Sequence, residues 1–303
     1  MMQITVLGGT GFVGTRLVAA LAAAGHRVRI PSRDPRAARH LAVLPAVECR
    51  RVDVHQPEAL RQFIVGSEVV VNLIGILNEK GFSGRGFELA HAELTRKVVA
   101  ACLETRVTRY LHMSALGADE AGPSHYLRTK GTAERHVRSS PATLDWTIFR
   151  PSVIFGAGDS LLNRFAALLR LTGGVMPLAR AGARFAPVWI DDVVAAFARA
   201  LQGGPTSRQS FDLCGPQVMT LAELVQYTGE LIGTRAWVLP LPDVLGRLQA
   251  QIMDFVPGKP LSSDNFRSLT VDNICRDPGF ARLGIEPTAL QSIAPTYLRP
   301  AAR

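Results

Sequence analysis

A glycine-rich turn near the amino terminus constrains the fold of this chain more than any other feature. Residues 8–14, GGTGFVG, follow the apolar run 4–7 and precede apolar residues at helical spacing, Leu17, Val18 and Leu21. A strand, a glycine turn and a helix in this order bind the pyrophosphate of a dinucleotide in many α/β proteins. Glycines let the backbone approach the phosphates, and the N–H groups and dipole of the helix start face the negative charge. We therefore expect a dinucleotide site here, with an ordinary glycine-rich turn as the alternative.

The first half of the chain alternates strand-like and helix-like segments. Strands are expected at 4–7, 27–30, 47–52, 69–73, 110–113 and 146–149, and helices at 11–24, 87–105 and 126–139. Strands separated by helices predict right-handed crossovers and a parallel sheet. The sequence thus predicts an α/β fold with a Rossmann, doubly wound parallel sheet in residues 1–150.

The pattern changes after Arg150-Pro151, where prolines become more frequent. Helices are expected at 161–171, 191–202 and 221–231. We expect a smaller, mixed and mainly helical C-terminal lobe in residues 151–303 that lies over the pocket. A segment at about 186–214 is expected to return to the core, and residues 299–303 to form a loose tail.

Charge and composition exclude some classes of function. The formal net charge is +9, but the arginines are spread along the chain without a block of like charges. This argues against a nucleic-acid-binding tail and leaves an anionic ligand, an acidic protein partner or an anionic membrane surface open. No apolar run approaches the length of a membrane span. The first strand begins almost at Met1 and leaves no room for a targeting peptide, so we expect a cytoplasmic protein, peripheral on the inner face of a membrane if a protein partner holds it there.

The four cysteines, Cys49, Cys102, Cys214 and Cys275, lie far apart in the sequence. No C-x-x-C or Cys/His spacing typical of a metal site occurs, so no metal is expected. We expect four free thiols in a reducing compartment.

Tyr126 and Lys130 are four residues apart, which places them on one face of a predicted helix. Ser114 ends a predicted strand, and open parallel sheets bind ligands beyond the carboxyl ends of their strands. A phenol with its ordinary pKa of about 10 is a poor acid or base at neutral pH, and a nearby ammonium lowers that pKa. The pattern predicts Tyr126 as the catalytic acid or base, Ser114 as the group that holds the substrate oxygen, and Lys130 as a contact to the nicotinamide ribose as well. The alternative is an ordinary pair of surface side chains.

Together these motifs resemble the short-chain dehydrogenase/reductase superfamily in its extended and atypical branches. The resemblance covers most of the chain and rests on the glycine loop, Asp53-Val54, residues 72–75 (NLIG), Ser114 with Tyr126 and Lys130, and residues 150–152 (RPS). It implies a Rossmann fold and a nicotinamide cofactor. The cofactor-binding residues it implies, beside Lys130, are Gly8, Thr10, Gly11, Phe12, Val13, Gly14, Asp53, Val54, Leu73, Ile74, Gly75, Pro151 and Val153.

Ser114 and Tyr126 are only twelve residues apart, which is shorter than in sugar-nucleotide epimerases and dehydratases of the extended branch. This spacing and the motif at 257–261 (PGKPL) are similar to the atypical group that contains the nucleotide-binding alpha-subcomplex accessory subunit of respiratory complex I and its bacterial relatives. That group implies tightly held NADPH and a structural role. His91 occupies the position where many extended-branch enzymes carry a catalytic asparagine, so we expect either a changed proton relay or a packing role for His91.

The end of the second strand bears on the choice of cofactor. An acidic residue there holds the ribose 2′-hydroxyl of NAD, whereas an arginine favours the 2′-phosphate of NADP. Ser32 and Arg33 lie at this corner and Arg36 follows one turn later, so NADP(H) is favoured over NAD(H). A small shift in register would instead bring Asp34 to the ribose.

We expect an NAD(P)-dependent oxidoreductase that transfers hydride between the nicotinamide and an unknown small carbonyl or alcohol substrate. The alternatives are a non-catalytic accessory subunit or assembly factor of respiratory complex I, and a regulator that senses the NADP(H) ratio.

Two local patterns in the second half of the chain also lead to predictions. One of Asp191 and Asp192 is expected to cap a helix, and the apolar residues of 244–255 are expected to pack within the lobe, with a docking surface for a partner or bilayer as the alternative.

Overall fold

The structure is a computed structural model that describes residues 1–41 and 43–299. The expected tail at 299–303 lies outside the described residues from 300 onward.

The described strands and helices follow one another along the chain with short connections. The strands are β1 (Gln3–Leu7), β2 (Arg27–Ser32), β3 (Val47–Arg51), β4 (Val69–Asn72), β5 (Arg109–Met113), β6 (Asp145–Pro151), β7 (Ile154–Phe155), β8 (Val175–Ala179), β9 (Arg184–Phe185), β10 (Val188–Trp189), β11 (Gln209–Leu213), β12 (Met219–Thr220) and β13 (Trp237–Leu241). The helices are α1 (Phe12–Ala23), α2 (Pro57–Ile64), α3 (Arg85–Phe87), α4 (Leu94–Glu104), α5 (His125–Arg138), α6 (Leu162–Leu171), α7 (Ile190–Arg199), α8 (Leu221–Leu231), α9 (Asp243–Met253), α10 (Ser263–Ser268), α11 (Gly279–Leu283), α12 (Leu290–Ile293) and α13 (Pro295–Leu298). A π-helical stretch, Glu88–Glu93, joins α3 to α4.

Within the described residues, seven parallel strands form the central sheet in the order β11-β6-β5-β4-β1-β2-β3. The chain begins in the middle of this sheet, runs outward to β3, and then returns to the other side of β1 as β4. The strand order therefore reverses between β1 and β4, where open α/β sheets form a crevice for ligands. The predicted fold class, a Rossmann doubly wound parallel sheet with a smaller lobe, is confirmed.

Helices cover both faces of the sheet. On one face, α1 and α7 contribute Leu17, Leu21 and Phe197 to an apolar cluster that also contains Ile4 and Val6 of β1. On the other face, Leu60 of α2 and Val98 of α4 pack with Leu7 and Val70. Alternating side chains of β1 thus enter opposite clusters, as expected of a strand that is buried on both faces.

The C-terminal part contributes to the sheet and also forms a separate apolar cluster. β11 pairs with β6 at the sheet edge. Beyond the sheet, β7 with β10, β8 with β13, and β9 with β12 form two-stranded ladders. Buried residues of α6 and α8, among them Leu162, Leu169 and Leu224, form the lobe's own cluster. The division at residue 150 stays a prediction.

Three local expectations are wrong. Cys214 and Cys275 form a disulfide, and only Cys49 and Cys102 are free thiols among the described residues. Trp189, not an aspartate, is the N-cap of α7, because Asp191 and Asp192 lie in the first turn of the helix itself.

The third wrong expectation concerns α9. Its buried positions are the small residues Gly246 and Ala250, whereas Val244, Leu248 and Ile252 face solvent. The helix buries its small side because Gly246 lies directly against Ala179 and Phe266.

No helix within the described ranges is long and apolar enough to cross a membrane.

Candidate functional site

The glycine loop lies between the end of β1 and the start of α1. Gly8 adopts φ +79°, a left-handed conformation that favours glycine, and its carbonyl accepts the N–H of Gly11 at 3.0 Å. Gly11 is the N-cap of α1 and has no side chain to bond the first-turn N–H groups, which therefore stay available to an anion. A Cβ at Gly14 would collide with the backbone of Gly8 and Gly9. The loop is therefore compact because glycine stands at 8, 11 and 14.

The flanking loop positions differ in burial. Val13 packs into the apolar cluster beneath the sheet, whereas Thr10 and Phe12 are half-buried at the crevice. The residues after β4 face the same loop, because a Cβ added at Gly8 would lie 3.2 Å from the backbone nitrogen of Ile74. The structure therefore brings residues 8–14 and 73–75 together at the switch point of the sheet.

Asn72 fixes the loop that follows β4. Its side-chain oxygen accepts the N–H of Ile74 at 3.1 Å, and its amide donates to the hydroxyl of Tyr110 at 3.2 Å. Leu73 is buried and Gly75 is exposed to solvent. A Cβ at Gly75 would lie 3.2 Å from Lys130 Nζ and 3.5 Å from His91 Nε2. The backbone at Gly75 thus forms one wall of a polar cleft shared with Lys130 and His91.

The corner after β2 is rich in arginine. Arg33 is exposed, and its backbone carbonyl accepts the Nε–H of Arg51 at 3.2 Å. The Asp34 carboxylate accepts the backbone N–H of Arg36 at 3.1 Å and its Nε–H at 3.0 Å. These bonds hold the pKa of Asp34 below its ordinary value. The Asp34 carboxylate is thus bonded to Arg36, while Ser32 bonds the backbone of Asp34.

Residues Asp53 and Val54 follow the neighbouring strand β3. Asp53 is exposed and its carboxylate accepts the N–H of His55 at 3.0 Å. Val54 is buried in the cluster on the α2 face of the sheet. The N–H of Val52 donates to the carbonyl of Ser32 at 3.0 Å, so Asp53 lies beside the Ser32–Arg33 corner.

Helix α5 carries Tyr126 and Lys130, and two separate side chains fix its start. Ser124 caps the helix by accepting the N–H of Leu127 at 3.1 Å. Asp264, from α10, accepts the N–H groups of His125 at 2.7 Å and Tyr126 at 3.0 Å. A carboxylate is favourable at a helix N-terminus, so the C-terminal lobe helps to position the segment that carries Tyr126.

Ser114 lies at the end of β5 in the same cleft. It is buried, and its hydroxyl has no hydrogen-bond partner within the described part of the chain. Buried hydroxyls in native proteins nearly always have a partner, so this one is available to a ligand. Lys130 Nζ donates to the carbonyl of Met113, the residue before Ser114, at 3.0 Å. The ammonium and the free hydroxyl therefore lie at the end of the same strand.

His91 lies in the π-helical stretch and connects this cleft to α5. Its Nε2 accepts the N–H of Ile76 at 3.0 Å, which assigns the ring proton to Nδ1, and Nδ1 donates to Thr129 Oγ1 at 2.9 Å. Thr129 in turn donates to the carbonyl of His125 at 2.8 Å. Burial, together with the charge of Lys130, holds the pKa of His91 well below its ordinary value. His91 is thus a neutral brace that holds the loop after β4 against α5.

The pKa values of Tyr126 and Lys130 shift in opposite directions. Burial raises the pKa of Tyr126 to about 12 and lowers the pKa of Lys130 to about 8, the latter partly offset by Glu134. The prediction that Lys130 lowers the pKa of Tyr126 is therefore wrong for this structure, in which the ammonium bonds the Met113 carbonyl. The Tyr126 ring packs edge-on against His91 and Phe87, with centroids 5.5 and 6.2 Å apart.

The segment after β6 completes the edge. Pro151 is buried, and its carbonyl accepts the N–H of Leu116 at 3.2 Å, so it adjoins the segment that follows Ser114. The side-chain oxygen of Asn273 accepts the N–H of Val153 at 3.0 Å and the hydroxyl of Ser152 at 2.7 Å. The lobe therefore anchors this segment as well.

Sequence reasoning did not single out Asn273, the bond of Thr129 to His91 or the capping role of Asp264. Their partners lie 120, 38 and 138 residues away in sequence, respectively, so no local pattern signals them. No cluster of three or more metal-ligating side chains occurs among the residues that the structure describes.

The fold and this edge of the sheet define a protein that binds a nicotinamide dinucleotide, and comparisons with known proteins agree. The sequence model of an NAD(P)H-binding family matches residues 8–160. Subunit 9 of the NADH dehydrogenase [ubiquinone] 1 alpha subcomplex from Arabidopsis thaliana mitochondria is 31% identical over 313 residues, which cover 97% of this chain and 76% of that protein. A ceramide reductase from Caulobacter vibrioides is 29% identical over 251 residues, which cover 79% of this chain and 74% of that protein.

A solved structure shares the fold at low sequence identity. It is a nucleoside-diphosphate-sugar epimerase from Staphylococcus aureus, with a TM-score of 0.79 and 17% identity, covering 99% of this chain and 100% of that one. The chain belongs to the NAD(P)H-binding family, within the short-chain dehydrogenase/reductase superfamily.

Proposed function

We propose that this protein is an NADPH-dependent reductase of a carbonyl substrate. The observation that carries the proposal is the buried Ser114 hydroxyl, which has no partner within the described residues and lies beside Lys130 at the end of β5. An unpaired hydroxyl in a polar cleft is the group that a substrate oxygen would satisfy. The reductase relative from Caulobacter vibrioides supports the same class of reaction.

The residues of the switch point fit a dinucleotide. Gly8, Gly11 and Gly14 with Thr10, Phe12 and Val13 would hold the pyrophosphate at the start of α1. The adenosine would lie along the neighbouring strand ends, held by Ser32, Arg33, Asp53, Val54, Leu73, Ile74 and Gly75. The nicotinamide end would meet Lys130, Pro151 and Val153.

The protonation state of Tyr126 favours reduction. Burial raises the pKa of Tyr126 to about 12, so the phenol is protonated at neutral pH and can serve as a proton donor but not as a base, although the raised pKa makes it a weaker acid than an exposed phenol. Bound NADPH supplies the hydride for the carbonyl carbon. Tyr126 gives its proton to the carbonyl oxygen, which becomes a hydroxyl, and Ser114 donates a hydrogen bond to the same oxygen. Lys130, which donates to the Met113 carbonyl, would contact the nicotinamide ribose beside them.

The preference for NADPH rests on the corner after β2. The Asp34 carboxylate is bonded to Arg36, whereas the exposed Arg33 side chain is available for a phosphate. A guanidinium binds phosphate through two parallel hydrogen bonds, which favours the 2′-phosphate over a free hydroxyl. The proposed cellular site is the cytoplasm, with attachment to the inner face of a membrane through a partner.

The test compares Tyr126→Phe with Tyr227→Phe, a half-buried tyrosine on α8. A screen of aldehydes and ketones is followed by NADPH absorbance. We expect Tyr126→Phe to lose about 100-fold or more of the turnover while binding NADPH as before, and Tyr227→Phe to retain it. Equal turnover of both variants, or no turnover by the unchanged protein across the screen, would overturn the reductase proposal.

A second candidate is a non-catalytic subunit or assembly factor of a respiratory complex. Two observations favour it: the similarity to subunit 9 from Arabidopsis thaliana, and the neutral His91 brace in place of a proton relay. Tightly bound nucleotide would then act as a stabilising ligand. Copurification of NADPH and respiratory-complex subunits with the protein, together with the absence of turnover, would support this candidate over the first.

A further inference from the structure

Helix α9 presents its large apolar side chains to solvent. Within the helix, Val244 is 80% exposed and Ile252 is 60% exposed, and Phe255, two residues after its end, is 80% exposed. Leu245 and Leu248 lie on the same side of the helix and are half exposed. We call these five residues the α9 strip. The opposite side is fixed to the lobe through Gly246 and Ala250, which pack on Ala179 and Phe266. The helix is therefore anchored with its apolar face outward.

The strip continues into an exposed aromatic pair. The rings of Phe255 and Phe82 lie 5.6 Å apart, and Phe82, from the loop after β4, is 58% exposed. Phe82 also lines a cavity of about 230 Å³, whose wall includes Phe87 and His125, the neighbours of Tyr126. The apolar surface thus runs from α9 to a cavity next to the proposed catalytic tyrosine. A contiguous group of exposed apolar side chains is a candidate interaction site.

The charges near the α9 strip indicate what kind of surface it binds. Arg247 lies on α9 itself, and exposed Lys80 precedes Phe82 by two residues in the chain; neither these two nor Lys259 forms a salt bridge with the residues that the structure describes. Lys259 lies over the Phe82 ring, with Nζ 4.4 Å from the centroid.

The nearby acids are occupied within the protein. Asp243 pairs with Arg180 at 2.7 Å, and Asp254 accepts the hydroxyl of Ser263 at 2.6 Å. The Asp264 carboxylate is already bonded at the start of α5. Hydrogen bonds do not remove the negative charges of Asp254 and of Glu79, which also lines the cavity, so among the described residues the three cations without a salt bridge outnumber such acids by one.

We propose that the α9 strip binds the surface of an anionic phospholipid bilayer. A helix that lies in the interface with apolar side chains in the acyl region and cations at the headgroups gains from both burial and charge attraction. Phe82 and Phe255 insert beside α9, and Lys80, Arg247 and Lys259 meet the phosphate groups. The cavity next to Tyr126 then opens at the bilayer surface.

Sedimentation with vesicles tests the proposal. Vesicles of phosphatidylcholine and phosphatidylglycerol in equal parts are compared with vesicles of phosphatidylcholine alone. We expect the full-length protein to bind the anionic vesicles about tenfold or more tightly than the neutral ones, and to dissociate at high salt. Absence of binding to either vesicle, or equal binding to both, would overturn the proposal.

Matched variants locate the surface. Val244→Asp changes the strip, and Val65→Asp changes an exposed valine at the end of α2. We expect the first to lower vesicle affinity about tenfold and the second to leave it unchanged, with equal melting temperatures and NADPH affinities for both. Equal loss in both variants contradicts the assignment. Chromatography with light scattering tests whether a second copy of this chain occupies the strip. If the unchanged protein forms a dimer that Val244→Asp dissociates, and it does not bind vesicles, the bilayer proposal is wrong and the strip joins two copies of the chain.

Discussion

The central sheet and the C-terminal lobe of this protein are stabilised by different means. The sheet buries large side chains on both faces, among them Ile4, Leu7 and Phe149. The lobe has an apolar cluster of its own, and it is also joined to the sheet region by covalent and polar links such as the Cys214–Cys275 disulfide and the Asn273 side chain that bonds Val153. The sheet edge carries the glycine loop, whereas the lobe helix α9 leaves its large apolar side chains exposed.

The largest expected effect is on the lobe. The disulfide closes a loop with a sequence separation of 61 residues. Its removal in Cys275→Ser should cost about 4 kcal/mol of unfolding free energy, because the unfolded chain regains the entropy of that loop. Chemical denaturation measures the loss, and Cys49→Ser, at a free and half-buried cysteine, provides the control. Equal stability of the two variants, or four titratable thiols in the native protein, would contradict this account.

The next effect concerns the sheet edge. Gly14→Ala places a methyl group against the backbone of Gly8 and Gly9, so we expect a loss of about 3 kcal/mol of unfolding free energy together with weaker NADPH binding. Gly182→Ala is the matched change in the lobe, where no atom lies within 4 Å of the added Cβ. It should stay within about 0.5 kcal/mol of the parent protein. Thermal melts and nucleotide titrations check both. If Gly14→Ala left both the melting temperature and the NADPH affinity unchanged, the loop would not be tightly packed.

A third effect depends on pH and arises at Lys130 of α5, whose ammonium bonds the end of β5. Burial lowers the pKa of Lys130 from 10.5 to about 8, so between these pH values the unfolded chain binds more protons than the native protein. The free energy of unfolding should therefore rise with pH across this window, by at most about 3 kcal/mol more than it does in Lys130→Met. Methionine has no group that titrates, so this variant is the reference. Denaturation of both proteins at several pH values measures the difference. A difference that stays flat or falls from pH 8 to 10.5 would contradict the burial of the ammonium.

Local patterns in the sequence were enough to predict the sheet region. The glycine loop, the strand ends and the Tyr126–Lys130 helix follow from residue types at fixed short spacings, and the predicted fold class is confirmed. The apolar spacing of α9 shows that the helix has an apolar face but not which side is buried, and here small residues face inward. The disulfide depends on two cysteines brought together by the fold, which sequence spacing does not reveal.

The sequence likewise predicted only part of the candidate site. Ser114 is expected at a strand end from the sequence, but only the structure shows that its hydroxyl has no partner within the described residues. The packing of Tyr126 against His91 raises its pKa through burial, the reverse of what charge alone predicts. The residue roles at this site stay predictions until they are measured.

Amide hydrogen exchange with and without NADPH tests most directly whether the dinucleotide lies across the ends of β1 and β4. We predict that NADPH slows exchange at residues 11–14, in the first turn of α1, and at 73–75, while α9 exchanges at its original rate. Unchanged exchange at both loops while calorimetry records NADPH binding would contradict the account, because the nucleotide would then occupy another part of the molecule.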